Sequence, residues 1–181
     1  QYYESAKKHI PDIDYENASK DVRDKLNENK KQVIIDCYYA MEWVLYYYLK
    51  SHPLSEGLLG LLKKRSVHKN CETIMGLAKK IGIRNVEQYK NLFIHLDGNK
   101  IEGVFKYNSP KLYVCLPLAI VEASENSNSN VHSIVHNDSN FLSFMNALNQ
   151  NSALRHDTET DVIDIDAAEV LRKAEKIISA L

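Results

Sequence analysis

Apolar residues recur at helical spacing along most of the chain, and this periodicity predicts helices rather than strands. The strongest signal runs over Gln32–Lys50, where Val33, Ile34, Cys37, Tyr38, Met41, Val44, Leu45, Tyr48 and Leu49 fall on one stripe. Tyr39, Trp43, Tyr46 and Tyr47 add apolar surface outside that stripe. A helix apolar on most sides is either central in a bundle or part of a subunit interface. His52-Pro53 ends it, because the residue before a proline is driven out of the helical region.

A short helix is predicted over roughly 55–65, and another over 71–81 with Asn70 as N-cap and Gly82 just past its end. Asn85 is placed to cap a further helix over 86–96, closed by Asp97-Gly98. Residues 97–108 hold Gly98 and Gly103 among Ile101, Val104, Phe105 and Tyr107, and read as an irregular loop or small hairpin. Ser109-Pro110 starts a helix running through Leu112–Ala123, with Pro117 expected to kink it or detach its first turn. A Ser- and Asn-rich connector covers Ser124–Asn130, and one or two helical turns follow over 131–137. Asp138-Ser139 caps a helix to about Ala153 that carries Phe141, Leu142, Phe144, Met145 and Leu148. The last helix opens on Asp166 and Glu169, spaced as in a capping box, and aligns Ala167, Val170, Leu171, Ala174, Ile177, Ile178 and Leu181 on one face. The expected fold is an all-α bundle with irregular connections, with a polar segment over 1–30 preceding a bundle domain over 31–181.

Composition narrows the class. At 181 residues, with 44% hydrophobic and 26% charged residues, the chain is long enough for one core without staples. A formal net charge of −1 argues against a generally basic nucleic-acid coat protein but leaves room for a local basic patch. Cys37, Cys71 and Cys115 are odd in number and widely spaced, which fits neither a disulfide framework nor a zinc finger and suits the reduced thiols of a cytosolic protein. No apolar run approaches the ~18 residues that span a membrane, and no secretory signal is visible. Gln1 in place of an initiator Met is what a domain cut from a longer chain would show.

Charge is unevenly distributed. Across 61–90, eight basic residues (Lys63, Lys64, Arg65, Lys69, Lys79, Lys80, Arg84 and Lys90) stand against Glu72 and Glu87. Across 157–169, Asp157, Glu159, Asp161, Asp164, Asp166 and Glu169 stand against no basic residue. The basic stretch is suited to track an RNA backbone, with Lys63, Lys64, Arg65, Lys69, Lys79, Lys80 and Arg84 as the contacting set. The alternatives are a solvated helix surface, or two complementary patches that meet within the fold or across a dimer.

Candidate chemistry lies near the C-terminal end, in Asn151-Ser-Ala-Leu-Arg155-His156-Asp157. Arginine presents a planar fork of donors to a phosphate, and histidine can take a proton from a ribose 2′-hydroxyl or give one to a leaving oxygen. The plainer reading pairs Arg155 with Asp157, Glu159 or Asp161 and leaves His156 capping the preceding helix. That segment, the capped helix behind it and the long apolar helix at 32–50 together resemble HEPN domains. The resemblance implies an all-α, usually dimeric bundle of the kind found in toxins, abortive-infection proteins and RNA-guided nucleases. Active members carry an Arg, often followed by Asn, with four to six residues between that Arg and a His, and two copies form a metal-independent ribonuclease site across a dimer. Here none of the seven histidines has an arginine at that spacing, and Gln150-Asn151 stand where the resemblance would put Arg-Asn before His156. Glutamine can donate to a phosphate but lacks the charge that stabilises a developing dianion.

His132 and His136, four apart on a helix, could share a zinc ion, but Ser133 stands where the metalloprotease pattern needs Glu, and no metal or cofactor is expected. There is no Gly-rich phosphate loop, Gly-x-Ser-x-Gly, His-Glu-x-x-His or calcium loop. Tyr38, Tyr39, Tyr46, Tyr47, Tyr48 and Trp43 suit a homodimer or a neighbouring domain docked through the 32–50 helix. Three functions remain open on these residues. The chain is a HEPN-like module of a bacterial defence or toxin–antitoxin protein that acts in binding or dimerisation; or a metal-independent endoribonuclease using His156 and Arg155 with Gln150 or Asn151; or an unrelated helical protein-interaction domain. RNA cleavage that survives chelation and vanishes in His156→Ala separates the second from the others.

Overall fold

A computed structural model describes residues 2, 4, 19–22, 30–150 and 166–181. Among them every regular element is helical: α1 (Lys30–Ser51), α2 (Glu56–Lys64), α3 (Val67–Lys80), a 3-10 segment (Val86–Leu92), α4 (Gly98–Lys106), α5 (Leu112–Glu125), α6 (Asn130–Asn137), α7 (Phe141–Gln150) and α8 (Ala167–Ala180). The all-α expectation holds. No helix among the described residues is long and apolar enough to cross a membrane.

The described residues fall into two compact units, one within Gln1–Met41 and Ala147–Ala180, the other over Glu42–Asn146 with Leu181. In the first, α1 buries Val33, Ile34, Cys37, Tyr38 and Met41, and α8 buries Ala167, Val170, Leu171, Ala174 and Ile177, the face that its periodicity predicts. Asp36 is buried there as well, with Gln32 Nε2 donating to its Oδ1 at 2.9 Å. Asp166 caps α8, its Oδ1 accepting from the Ala168 N–H at 2.9 Å, whereas Glu169 pairs forward with Lys173 at 3.0 Å instead of reaching back as a capping box would.

The second unit is organised around α5. From Leu112 to Ala123 nearly every residue of this helix is buried, Pro117 included, so it is α5 that lies at the centre of the unit. Packed against it are α3, α4, α6 and the 3-10 segment, while α2 packs on α4. Pro117 neither detaches the first turn nor divides the helix, which runs unbroken from Leu112 to Glu125. A helix that starts inside the protein has N–H groups that water cannot reach. Glu42 of α1, only 3% exposed, meets that need: its Oε1 accepts the Leu112 N–H at 2.9 Å. Farther along α1, Tyr46 donates to Asn108 Oδ1 at 2.6 Å and Tyr48 to Glu122 Oε2 of α5 at 2.9 Å.

The hairpin expected near 97–108 is a helix, α4. Asp97 is its N-cap, Oδ1 accepting the Lys100 N–H at 2.9 Å, and Ile101 and Val104 are its buried positions, three apart as a helix requires. Gly98 misled the sequence reading because it serves a close approach rather than a turn. A Cβ there would lie 2.3 Å from the Lys63 carbonyl oxygen at the end of α2. The helix closes on Asn108 in the left-handed region (φ 47°), with the Ser109 N–H bonded to Val104 O at 3.1 Å, and α5 then begins at Leu112, after Ser109-Pro110.

The 86–96 helix shrinks to the 3-10 segment Val86–Leu92, and Asn85 contributes a left-handed backbone (φ 53°) rather than a side-chain cap. At the end of α3, Gly82 (φ 92°) behaves as expected: its N–H bonds Lys79 O and that of Ile83 bonds Ala78 O, both at 3.0 Å.

Two predictions follow from this core. Glu42→Ala leaves the first donor of α5 unpaired in a dry site and should lower unfolding free energy by about 2–3 kcal/mol, with Glu42→Gln, which keeps an acceptor oxygen, losing less; urea titration measures both. The three cysteines are free and buried, and burial pushes the Cys37 and Cys115 thiols up to about 12, with Asp36 adding to the first. A raised native pKa means that the unfolded chain loses these protons first as pH rises. Stability is therefore complete below the ordinary thiol value of 9.0 and falls between there and about 12. The same titration repeated at rising pH in wild type and in Cys37→Ala/Cys115→Ala should show the double variant with the shallower decline.

Candidate functional site

The chain passes from α2 to α3 through two residues, Arg65 and Ser66, and that tight corner brings cations together. Lys63 and Lys64 occupy the last turn of α2. Ser66 is the N-cap of α3, its side chain accepting the Lys69 N–H at 3.4 Å, which sets Lys69 on the first turn. Arg65 Nη1 donates to Thr73 Oγ1 at 3.0 Å, and the same hydroxyl donates to Lys69 O at 2.8 Å. Lys64, Arg65, Ser66, Lys69, Glu72 and Thr73 then line a shallow cavity of about 470 Å³. Glu72, its carboxylate, is shared with His68 at 3.2 Å.

Asn70 holds this corner from beneath. The sequence suggests a helix cap, but α3 begins three residues earlier, and Asn70 is 0% exposed within its first turns. Its Nδ2 donates to Leu62 O at 2.8 Å and to Leu96 O at 3.1 Å. One amide therefore ties the end of α2 and the residue preceding Asp97 to α3, and so fixes Lys64 and Arg65 relative to Lys69.

The rest of the expected basic set divides. Lys80 is exposed and lies eleven residues beyond Lys69 on α3, a separation that returns it to nearly the same face about 16 Å along the axis. Lys63 and Lys79 are offset by carboxylates, Glu102 at 3.8 Å and Glu87 at 3.0 Å. Arg84 is exposed beyond Gly82 and borders a different cleft. The structure thus brings together Lys64, Arg65 and Lys69, extends them along α3 to Lys80, and sets Lys63, Lys79 and Arg84 apart.

Of the residues considered for catalysis, Gln150 is the exposed last residue of α7. Asn151, Arg155 and His156 lie outside the described residues, as does most of the acidic stretch. His132 and His136 stack with ring centroids 6.2 Å apart, and no group of three His, Cys, Asp or Glu among the described residues could hold a metal ion.

The α1 aromatics separate into inner and outer sets. Tyr38, Tyr46 and Tyr48 are buried, while Tyr47 is 58% exposed and stacks on Trp43 at 5.6 Å. Burial pushes the Tyr48 hydroxyl above its ordinary value, and the Glu122 carboxylate beside it acts in the same direction. Glu42 and Glu122 go unnoticed in the sequence, and Asn70 reads there only as a cap. Their signal was present as single polar residues on otherwise buried faces, and a pattern that scores apolar recurrence passes over them. No protein-family model matches the chain, and no curated protein or solved structure matches it.

The role of Asn70 can be tested by an isosteric change. Asn70→Asp puts a carboxylate against two carbonyl oxygens and should cost about 3 kcal/mol or more in urea unfolding, well beyond the effect of Asp at an exposed site such as Gly76.

Proposed function

We propose that this chain is a HEPN-like helical module of a bacterial defence or toxin–antitoxin protein, acting by binding, and that its α2–α3 corner seats the phosphate backbone of RNA. The observation that carries the reading is the corner itself, where Lys64, Arg65 and Lys69 surround a shallow depression whose one carboxylate is shared with a histidine. None of these three cations is ion-paired to a carboxylate among the described residues, in contrast to Lys63 and Lys79. Cations held in place by helix geometry release bound counterions when a polyanion docks, which gives sequence-independent, salt-sensitive affinity. Lys80 adds another exposed cation about 16 Å farther along the same helix. The Ser66 hydroxyl, which accepts in capping α3 and keeps its own proton to donate, is of the type that fixes phosphate oxygens. The all-α fold supports the family reading to the extent that HEPN domains are helical bundles.

Binding of a labelled single-stranded RNA across a salt series tests this. Lys64→Glu/Arg65→Glu/Lys69→Glu should weaken affinity about tenfold or more at low salt and flatten the salt dependence by about two counterions, from the ~0.7 released per phosphate contact. Equal affinity and equal slope in the variant would overturn the reading. Incubation of the same RNA with chelator adds a second outcome. Cleavage that disappears in His156→Ala would mark the chain as a ribonuclease rather than a binding module.

A further inference from the structure

A second concavity in the same unit lies away from the basic corner. After α3 ends, the turn at Gly82 reverses the chain, and Arg84 and the 3-10 segment holding Tyr89 form one wall. The end of α6 with His136 and the start of α7 with Phe141 and Leu142 form the other. The cleft has a volume of about 770 Å³, within the range of small-ligand sites.

Its chemistry is divided. Val135, Phe141 and Leu142 close the lining but are themselves buried, so the ring that a ligand can reach is that of half-buried Tyr89. Arg84 and His136 are exposed at its edge, and Arg84 has no ion-pair partner among the described residues. The Gly82 backbone (φ 92°) passes beside the imidazole, with His136 Nδ1 4.0 Å from where a Cβ would stand. The carboxylate in the lining, Asp138, is committed to α7: its Oδ1 accepts the Asn140 N–H at 2.9 Å, and its carbonyl oxygen accepts that of Phe141 at 3.1 Å. That leaves the arginine fork and the imidazole nitrogens as the groups available to an anion, beside a surface on which a planar ring can stack. An anion carrying a planar ring would engage both Arg84 and the Tyr89 ring, whereas a bare oxyanion would engage only the first.

We propose that this cleft binds a nucleoside monophosphate, with its phosphate on Arg84 and His136 and its base against Tyr89. The site is separate from the α2–α3 corner proposed to seat RNA and shares no lining residue with it.

Titration calorimetry of the full chain with adenosine 5′-monophosphate, adenosine and inorganic phosphate tests the assignment. The monophosphate should bind with a dissociation constant below about 1 mM, and both fragments about tenfold or more weakly. Arg84→Gln should lose about tenfold for the monophosphate and little for adenosine, because it removes the two-pronged phosphate contact. Tyr89→Ala should weaken both. Tyr89→Phe, which keeps the ring and guards against a folding defect in the alanine variant, should bind like wild type. The triple glutamate variant of the α2–α3 corner should retain monophosphate affinity, so that failure of one site is distinguishable from failure of the other. No heat or shift with the monophosphate at about 5 mM, or unchanged affinity in Arg84→Gln, would overturn the proposal.

Discussion

The hydrogen bond from the Leu112 N–H to the Glu42 carboxylate is the constraint on which the second unit rests. A helix as thoroughly apolar as α5 gains most by lying at the centre, but its leading amide is then carried out of water with it. Burying that donor without an acceptor would oppose the gain from the side chains behind it. Glu42 removes the opposition, and its negative charge also suits the positive end of the helix dipole. The cost moves to α1, which must hold a carboxylate on a buried face. Tyr48 and Glu122 repeat the arrangement one and a half turns farther along α1, this time with the carboxylate on α5. Two reciprocal carboxylate contacts therefore fix how far α1 can slide or turn against its neighbour.

Periodicity was enough to place α1, α2, α5, α6 and α8, because each presents a continuous apolar face whose spacing survives any choice of partners. It failed where a residue's purpose depends on what lies across from it. Gly98 and Gly103 read as loop signals, yet Gly98 is the point at which α4 meets a carbonyl of α2, a contact that no local pattern encodes. Asn70 reads as a cap because asparagine favours that position. Its burial beneath two carbonyl groups is a property of three separated segments. The same limit applied to the basic stretch. Eight cations could be counted along 61–90, but which of them lie together and which meet Glu87 or Glu102 depends on the corner at Arg65-Ser66 and on α4.

The two concavities present their cations in different settings. At the α2–α3 corner, three charges around a shallow floor suit a chain whose phosphates recur and whose bases need not enter. At the Gly82 turn, one arginine shares a lining with a single half-buried tyrosine ring, the setting proposed above for a ligand with one phosphate. α3 connects them, with Lys69 at its start and the Gly82 turn at its end.

The approach of Gly98 to the Lys63 carbonyl has a mechanical meaning. Most helix pairs meet through side chains that can change rotamer and absorb a displacement. Here main chain abuts main chain, so the joint between α2 and α4 has no slack. Lys64 and Arg65 follow directly on that joint. A side chain of any size introduced at Gly98 would therefore push the end of α2 away from α4 and carry the following Lys64 and Arg65 with it.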